Sequence, residues 1–155
     1  MIAVLGDTHL PRGRRRLPET CIEVLREATA IVHTDDLTSL AVLEQLEAFA
    51  PVHAVHGNVD EPGVRARLPA RLVVEVEGLR FGVVHSGGAR AGREARLRPW
   101  FPDCEVIAFG HSHQPEIRTH DGCWIVNPGS PTDRRRALAH TMVVIEHGTP
   151  RLVEV

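Results

Sequence analysis

Six short apolar runs in this chain each end at a residue able to donate to a metal ion. Ile2–Leu5 runs into Gly6-Asp7-Thr8-His9, and Ala30–Val32 into His33-Thr34-Asp35-Asp36. Val52–Val55 is followed by His56-Gly57-Asn58-Val59-Asp60, Phe81–Val84 by His85-Ser86-Gly87-Gly88, and Val106–Phe109 by Gly110-His111-Ser112-His113. The last, Trp124–Val126, stops at Asn127. Short apolar runs bounded by Gly or Asp are what strands covered on both faces look like. A donor at the C-terminal end of such a strand opens into the crevice where α/β sheets bind their ligands. The pattern therefore predicts that these donors converge in space.

The segments between the runs set the fold class. Leu17-Pro18-Glu19-Thr20 precedes a helix of about ten residues with Ile22, Leu25, Ala28 and Thr29 on one face. Thr38-Ser39 precedes a second, with Leu40, Leu43, Leu46 and Ala50 on its apolar face. A short loop or helix leads from Asp60 to Leu68-Pro69, and Leu72–Val76, Glu77-Gly78 and Arg80–His85 then read as a hairpin. Arg90–Trp100 is expected to be helical. The remainder reads as strands: Glu116–His120, Trp124–Val126, Ala139–Glu146 and Arg151–Val155, with turns at Asp121-Gly122 and His147-Gly148. Parallel units followed by antiparallel hairpins imply an α/β fold with one mixed sheet, or two packed sheets, flanked by helices.

Composition removes several function classes. A chain of 155 residues suits one domain, 1–155, able to bury roughly 70% of its unfolded surface. No apolar stretch approaches the ~18 residues of a membrane span. Met1 leads straight into the first run, so we expect no signal segment and a cytoplasmic protein. A formal net charge of −2 offers no global field for nucleic acid or membrane. All 18 basic residues are arginine, which excludes a catalytic lysine. Cys21, Cys104 and Cys123 are scattered, with no CxxC pair, and read as reduced, buried thiols without a catalytic role.

Two divalent cations about 3.5–4 Å apart need a shared anionic ligand, with imidazoles and amide oxygens completing each shell. Asp7, His9, Asp36, Asn58, His85, His111 and His113 supply that set, and Asp36 is the natural bridge. A lone DxH or HxH arises often by chance; five such fragments, each after its own strand, do not.

Gly6-Asp7-Thr8-His9, Asp36, Gly57-Asn58-Val59-Asp60, His85, Gly110-His111-Ser112-His113 and Asn127-Pro128-Gly129-Ser130 together resemble the calcineurin-like metallophosphoesterase superfamily. Within it, the chain is similar to the small bacterial and archaeal phosphodiesterases. The resemblance implies a four-layer αββα sandwich, two mixed sheets with helices outside. It implies that Asp7, His9 and His113 hold one metal with bridging Asp36, and that Asn58, His85 and His111 complete the other. Mn²⁺ is the first choice, with Ni²⁺, Fe²⁺, Zn²⁺ or Mg²⁺ also compatible. The expected chemistry is in-line attack on phosphorus by a hydroxide shared between two ions. Related protein phosphatases carry a histidine where this chain has Val59. Lacking that acid, the chain is expected to hydrolyse a small phosphodiester with a good leaving group. A phosphomonoesterase of the same mechanism, or an interaction scaffold like the retromer subunit of this fold, is the alternative.

One departure stands out, because the family's Gly-Asp is Asp35-Asp36 here. Asp35 then occupies a position where glycine often serves a positive φ. We expect it to tolerate that backbone, to point away from the metals and to weaken substrate binding modestly. Asp60 reads as a loop or supporting carboxylate, since Asn58 already fills the ligand position. His33 and His56 either orient a ligand or simply end a strand. Arg12, Arg14–Arg16 and Arg134–Arg136 read as solvated runs that could also contact substrate phosphate, Arg12 foremost. Asn127 and Ser130 are expected to close a turn beside the site. His53, His120, His140 and His147 are assigned to the surface. Antiparallel edge strands near the C-terminus make a homodimer plausible.

Overall fold

The structure is a computed structural model describing residues 1–155. It contains two five-stranded mixed sheets packed face to face, with helices on the outer faces. In the first sheet, β1 (Ile2–Leu5), β2 (Ala30–His33) and β3 (Val52–Ala54) are parallel and joined through α1 (Glu19–Glu27) and α2 (Leu40–Glu47). The second contains β4 (Arg71–Val76), β5 (Leu79–Ser86), β6 (Val106–Gly110), β7 (Glu116–His120) and β8 (Cys123–Asn127). The C-terminal hairpin, β9 (Thr141–Glu146) and β10 (Thr149–Glu154), returns to the first sheet, giving the order β10-β9-β1-β2-β3 beside β4-β5-β6-β8-β7. No helix is long and apolar enough to cross a membrane.

Strand periodicity explains the layering. Successive side chains alternate between faces, so Ile2, Val4, Ala30 and Val32 meet Phe81, Val83, Val106, Ala108 and Val126 between the sheets. Ala3, Leu5 and Ile31 point the other way, onto Cys21, Leu25, Leu43 and Leu46 of the first two helices. A third core forms outside the second sheet, where Ile107, Phe109 and Ile125 pack against Leu97 and Phe101. Each large side chain so buried contributes about 1.5–3 kcal/mol. The runs read as apolar on both faces because each strand is covered on both.

The parallel strands carry the site. β5, β6 and β8 run parallel, as do β1, β2 and β3, and all six donor-bearing runs belong to these two sets. The four antiparallel strands, β4, β7, β9 and β10, end in none of the candidate ligands. All four are joined to a neighbour by one of three two-residue turns, Glu77-Gly78, Asp121-Gly122 and His147-Gly148, in which both residues have positive φ. That backbone matches the right-handed twist of hairpin strands.

The second helix starts at Leu40 as expected, whereas the first begins at Glu19 and ends at Glu27, leaving Ala28 and Thr29 of its expected face outside it. Arg90–Trp100 resolves into α4 (Arg93–Leu97) and a 3₁₀ turn (Arg98–Trp100), and the loop beyond Asp60 contains α3 (Pro62–Arg67). His53, His120 and His140 are half-buried rather than on the surface, because each sits on or beside a sheet; His147 is exposed.

The second sheet is held to its outer layer at a point with no spare volume. A Cβ on Gly82 of β5 would lie 2.4 Å from Cγ of the buried Phe101 ring. Gly82→Ala is therefore expected to lower stability by about 1–3 kcal/mol, read as a lower urea midpoint at unchanged slope. An unchanged midpoint would show that the Phe101 contact is slack.

Candidate metal centre

The loops after β1, β2, β5 and β6 converge at one end of the sandwich. Asp7, His9 and His113 bring donor atoms within 4.8 Å of one another, and Asp35, Asp36 and His85 form a second group by the same measure. His9 Nε2 and His113 Nε2 face each other at 3.2 Å, their rings stacked with centroids 5.0 Å apart. Asp7 Oδ1 lies 3.2 Å from His113 Nε2 and 3.7 Å from His9 Nε2, and Asp36 Oδ2 is 3.9 Å from His9 Nε2. Asp36 thus reaches both groups. His111 is exposed, its ring edge-on to His85 at 4.7 Å between centroids. Asn58 is exposed in the loop after β3, next to Val59, whose N–H donates to Asp36 Oδ1 at 3.1 Å.

The donor set fits a cation. Asp7 is fully buried, yet neither carboxylate oxygen has a hydrogen-bond partner, and His9 Nδ1 is likewise unpartnered. Buried charged oxygens without partners are strongly unfavourable in a protein interior. An ion about 2.0–2.2 Å from each donor sets neighbouring donors about 3.0–3.5 Å apart, close to the shortest separations here. Burial works to raise the Asp7 carboxyl, but the His113 and His9 imidazoles outweigh it and hold it well below the usual carboxylate range. Asp7 is therefore anionic. Burial works to lower His113, and the adjacent Asp7 carboxylate more than reverses that. His111, although largely exposed, is lowered by partial desolvation of its ring and then by the nearby His85.

Backbone strain marks the same residues. Ten non-glycine residues have positive φ, and five of them are Asp7, His9, Asp36, His111 and His113. Three others belong to the hairpin turns, so most of the unexplained left-handed backbone lies at the candidate ligands. Each such residue costs about 1–2 kcal/mol, and strain of this kind persists only where surrounding structure enforces it, as at functional sites.

That structure is visible. His113 Nδ1 donates to the Asp133 carbonyl, directing Nε2 at Asp7. Ser130 Oγ donates to the Asp7 carbonyl at 2.8 Å, and Asn127 Nδ2 donates to the Gly110 carbonyl at 3.2 Å and Ser112 Oγ at 3.1 Å. Asn127 and Ser130 therefore close the expected turn and also grip the first and fifth loops. Asp60 is a supporting carboxylate: it accepts from Thr38 N–H at 2.5 Å and Gly57 N–H at 2.6 Å, joining the second and third loops. His33 is fully buried, bonded to Thr8 Oγ1 and the Asp35 N–H, whereas His56 reaches only its neighbour's carbonyl. Arg12 is exposed; Arg15 pairs with Asp133 at 2.9 Å, and Arg134 donates to the Ala137 carbonyl. Asp133 carries no pattern in the sequence, since it acts on His113 through its backbone.

Asp35 corrects two expectations. The positive φ falls on Asp36, at 49°, and not on Asp35. Nor does Asp35 point away: its carboxylate is fully buried against the site, with Oδ2 2.5 Å from His85 Nδ1. Burial pushes the Asp35 carboxyl up to about 6, against the opposing pull of His85. For His85, burial acts to lower its value, and the Asp35 partner and nearby carboxylates raise it on balance.

Residues 1–149 match the calcineurin-like phosphoesterase superfamily domain. A probable metallophosphoesterase of Methanothermobacter thermautotrophicus is 35% identical over 147 residues, covering 93% of this chain and 84% of that protein. Another, from Methanocaldococcus jannaschii, is 32% identical over 145 residues, covering 92% and 73%. Among solved structures, a protein described as a novel archaeal phosphodiesterase superimposes with a TM-score of 0.78 at 21% identity, covering 99% of both chains. Vps29 of Entamoeba histolytica complexed with Zn²⁺ gives 0.75 at 22% identity, covering 99% and 97%. At these identities the likeness is one of fold.

Burial of His33 holds its imidazole down at about 4, from an ordinary 6.5. The unfolded chain then binds the extra proton, so the contribution of His33 to stability is complete above about pH 6.5 and is lost as pH falls toward 4. The expected loss is up to about 3 kcal/mol. His33→Gln should flatten the urea-midpoint profile of chelator-treated protein across that window; an unchanged profile would mean His33 is not buried neutral.

Proposed function

Because the chain belongs to the calcineurin-like phosphoesterase superfamily, we propose that it is a phosphodiesterase using two divalent cations. The observation that carries this reading is the cluster of Asp7, His9 and His113, in which both buried Asp7 oxygens lack a hydrogen-bond partner, continued through Asp36 to His85. One cation takes Asp7, His9 and His113, the other Asn58, His85 and His111, and Asp36 serves both. Mn²⁺ is the expected metal; Fe²⁺, Ni²⁺, Zn²⁺ and Mg²⁺ suit similar donors, and availability decides among them. When bound, such a pair acidifies a coordinated water and neutralises charge on phosphoryl oxygens.

The chain's own residues do the rest. His113 and His85, each anchored through Nδ1, present Nε2 in fixed directions. The Val59 N–H fixes the Asp36 carboxylate. A cavity of about 450 Å³ is lined by Pro11, Arg12, Thr38 and Val59, chain neighbours of His9, Asp36 and Asn58. Substrate phosphate fits there against the Arg12 guanidinium. Val59 supplies no proton, so a leaving group must depart unaided, and this favours diesters with acidic leaving groups over monoesters. The same reading makes the chain a single-domain cytoplasmic enzyme for a small phosphoester, with a homodimer through edge strand β10 as its protein partner.

The scaffold alternative has less support. The large exposed apolar residues, Val59, Val73, Trp100, Leu138 and Leu152, come from five different segments and not from one strand or helix face.

Chelator-treated protein given back Mn²⁺ is expected to hydrolyse bis-p-nitrophenyl phosphate faster than p-nitrophenyl phosphate. Asp36→Asn and His113→Ala should each lower that rate by about 100-fold or more, the scale of single electrostatic contributors. Faster monoester turnover would move the assignment to a phosphatase, and metal binding without turnover would favour the scaffold.

A further inference from the structure

Of the three carboxylates in the two donor groups, Asp35 alone has both oxygens engaged in hydrogen bonds. Oδ1 accepts from the Asp7 N–H at 3.1 Å and from Thr34 Oγ1 at 2.8 Å; Oδ2 accepts from His85 Nδ1. Its own N–H donates to His33 Nδ1 at 3.3 Å, and its carbonyl accepts a second bond from the Asp7 N–H at 3.2 Å. One side chain therefore touches the backbone of a donor in the first group and the ring of a donor in the second.

The space it occupies is made for it. A Cβ on Gly110 would stand 2.3 Å from Asp35 Oδ1 and 2.6 Å from Oδ2, and a Cβ on Gly6 would stand 3.0 Å from Oδ1. The carboxylate lies against the ends of β1 and β6, where Gly6 and Gly110 leave it room. Two donors on Oδ1 and an imidazole N–H on Oδ2 occupy three of the roughly four lone-pair sites of the carboxylate.

The geometry points to Asp35 as a positioning residue that fixes His85 as the Nδ1–H tautomer, leaving Nε2 bare for the second cation while tying the Asp7 loop to it. This inference rests on the two-metal reading above. An imidazole free to hold its proton on either nitrogen spends part of its time with Nε2 blocked; a carboxylate at Nδ1 removes that state and raises the basicity of Nε2. His113 is held in the same sense by a backbone carbonyl, so the two half-sites reach one arrangement by different means.

The test compares wild type with Asp35→Asn, which keeps the shape, and Asp35→Gly, which removes the side chain without adding volume. Either variant suffices if the other fails to fold. Two readouts are taken: ¹⁵N imidazole shifts of His85 in metal-free protein, and Mn²⁺ titration by calorimetry. Recorded at alkaline pH, where the imidazole is neutral, the expected wild-type signature is protonated Nδ1 with unprotonated Nε2, lost or mixed in the variants. Both variants should still take up two Mn²⁺, with affinity at one site lower by 10–100-fold. An unchanged His85 signature would overturn the proposal, as would unchanged affinity at both sites. Loss of one Mn²⁺ at every concentration would also overturn it, by making Asp35 a ligand. Wild type binding fewer than two Mn²⁺ would instead sink the two-metal reading, while the His85 signature, measured without metal, still decides the role of Asp35.

Discussion

The constraint on which the rest of the structure depends is a charge, that of Asp7, fully buried at the end of a central strand. An isolated carboxylate in that environment would be expected to take up a proton. Here two imidazoles hold it ionised. Those imidazoles come from opposite sheets, His9 from the loop after β1 and His113 from the loop after β6. The electrostatic demand of one residue is thus met only when both sheets are assembled and their loops face the same end. The inter-sheet core of Ile2, Val4, Phe81, Val83, Val106 and Val126 supplies the alignment. Apolar packing sets the two sheets in place, and the buried acid and imidazoles give that placement a chemical use.

Glycine has an unusual role at this centre. Turn chemistry usually gives glycine the left-handed backbone, and the three hairpins follow that rule. At the site the assignment is reversed. Asp7, His9, Asp36, His111 and His113 take the left-handed conformation, while Gly6, Gly57 and Gly110 do not. Those glycines answer to space: a Cβ on Gly57 would sit 1.9 Å from Asp36 Oδ1, and one on Gly6 2.1 Å from Thr34 Oγ1. Each gives up its side chain so that a neighbouring loop's polar group can approach the backbone.

This reversal explains what could and could not be read from the sequence. The donor-bearing strands were legible because each is short, apolar and covered on both faces, and the hairpin turns because each is a residue followed by glycine between strands. The strand pattern by itself is compatible with one mixed sheet or two, since pairing β9 antiparallel to β1 depends on Val143 and Ile145 meeting the inter-sheet core from the far end of the chain; the family resemblance implies the two sheets found. Asp35 departs from what its position suggests for a related reason. The positional argument treats glycine as a source of positive φ, and so it places Asp35 in a strained backbone with its carboxylate turned away. In the fold the room left by Gly6 and Gly110 draws that carboxylate inward, toward His85. Backbone partners such as the Asp133 carbonyl carry no residue-type signal at all.

The strain and the charge at the centre respond differently to a bound cation. Five left-handed residues at about 1–2 kcal/mol each are a cost borne whether or not an ion is present, because the loops that impose them are tied by Ser130, Asn127 and Asp60. The buried charge of Asp7, in contrast, is only partly compensated by the imidazoles of His9 and His113, and its oxygens keep the capacity that a cation would fill. Folding therefore carries the conformational part in advance and leaves the uncompensated electrostatic part to binding. Little of the ion's binding energy is then spent on rearranging Asp7, His9 or His113, which is the general advantage of a site organised before its ligand.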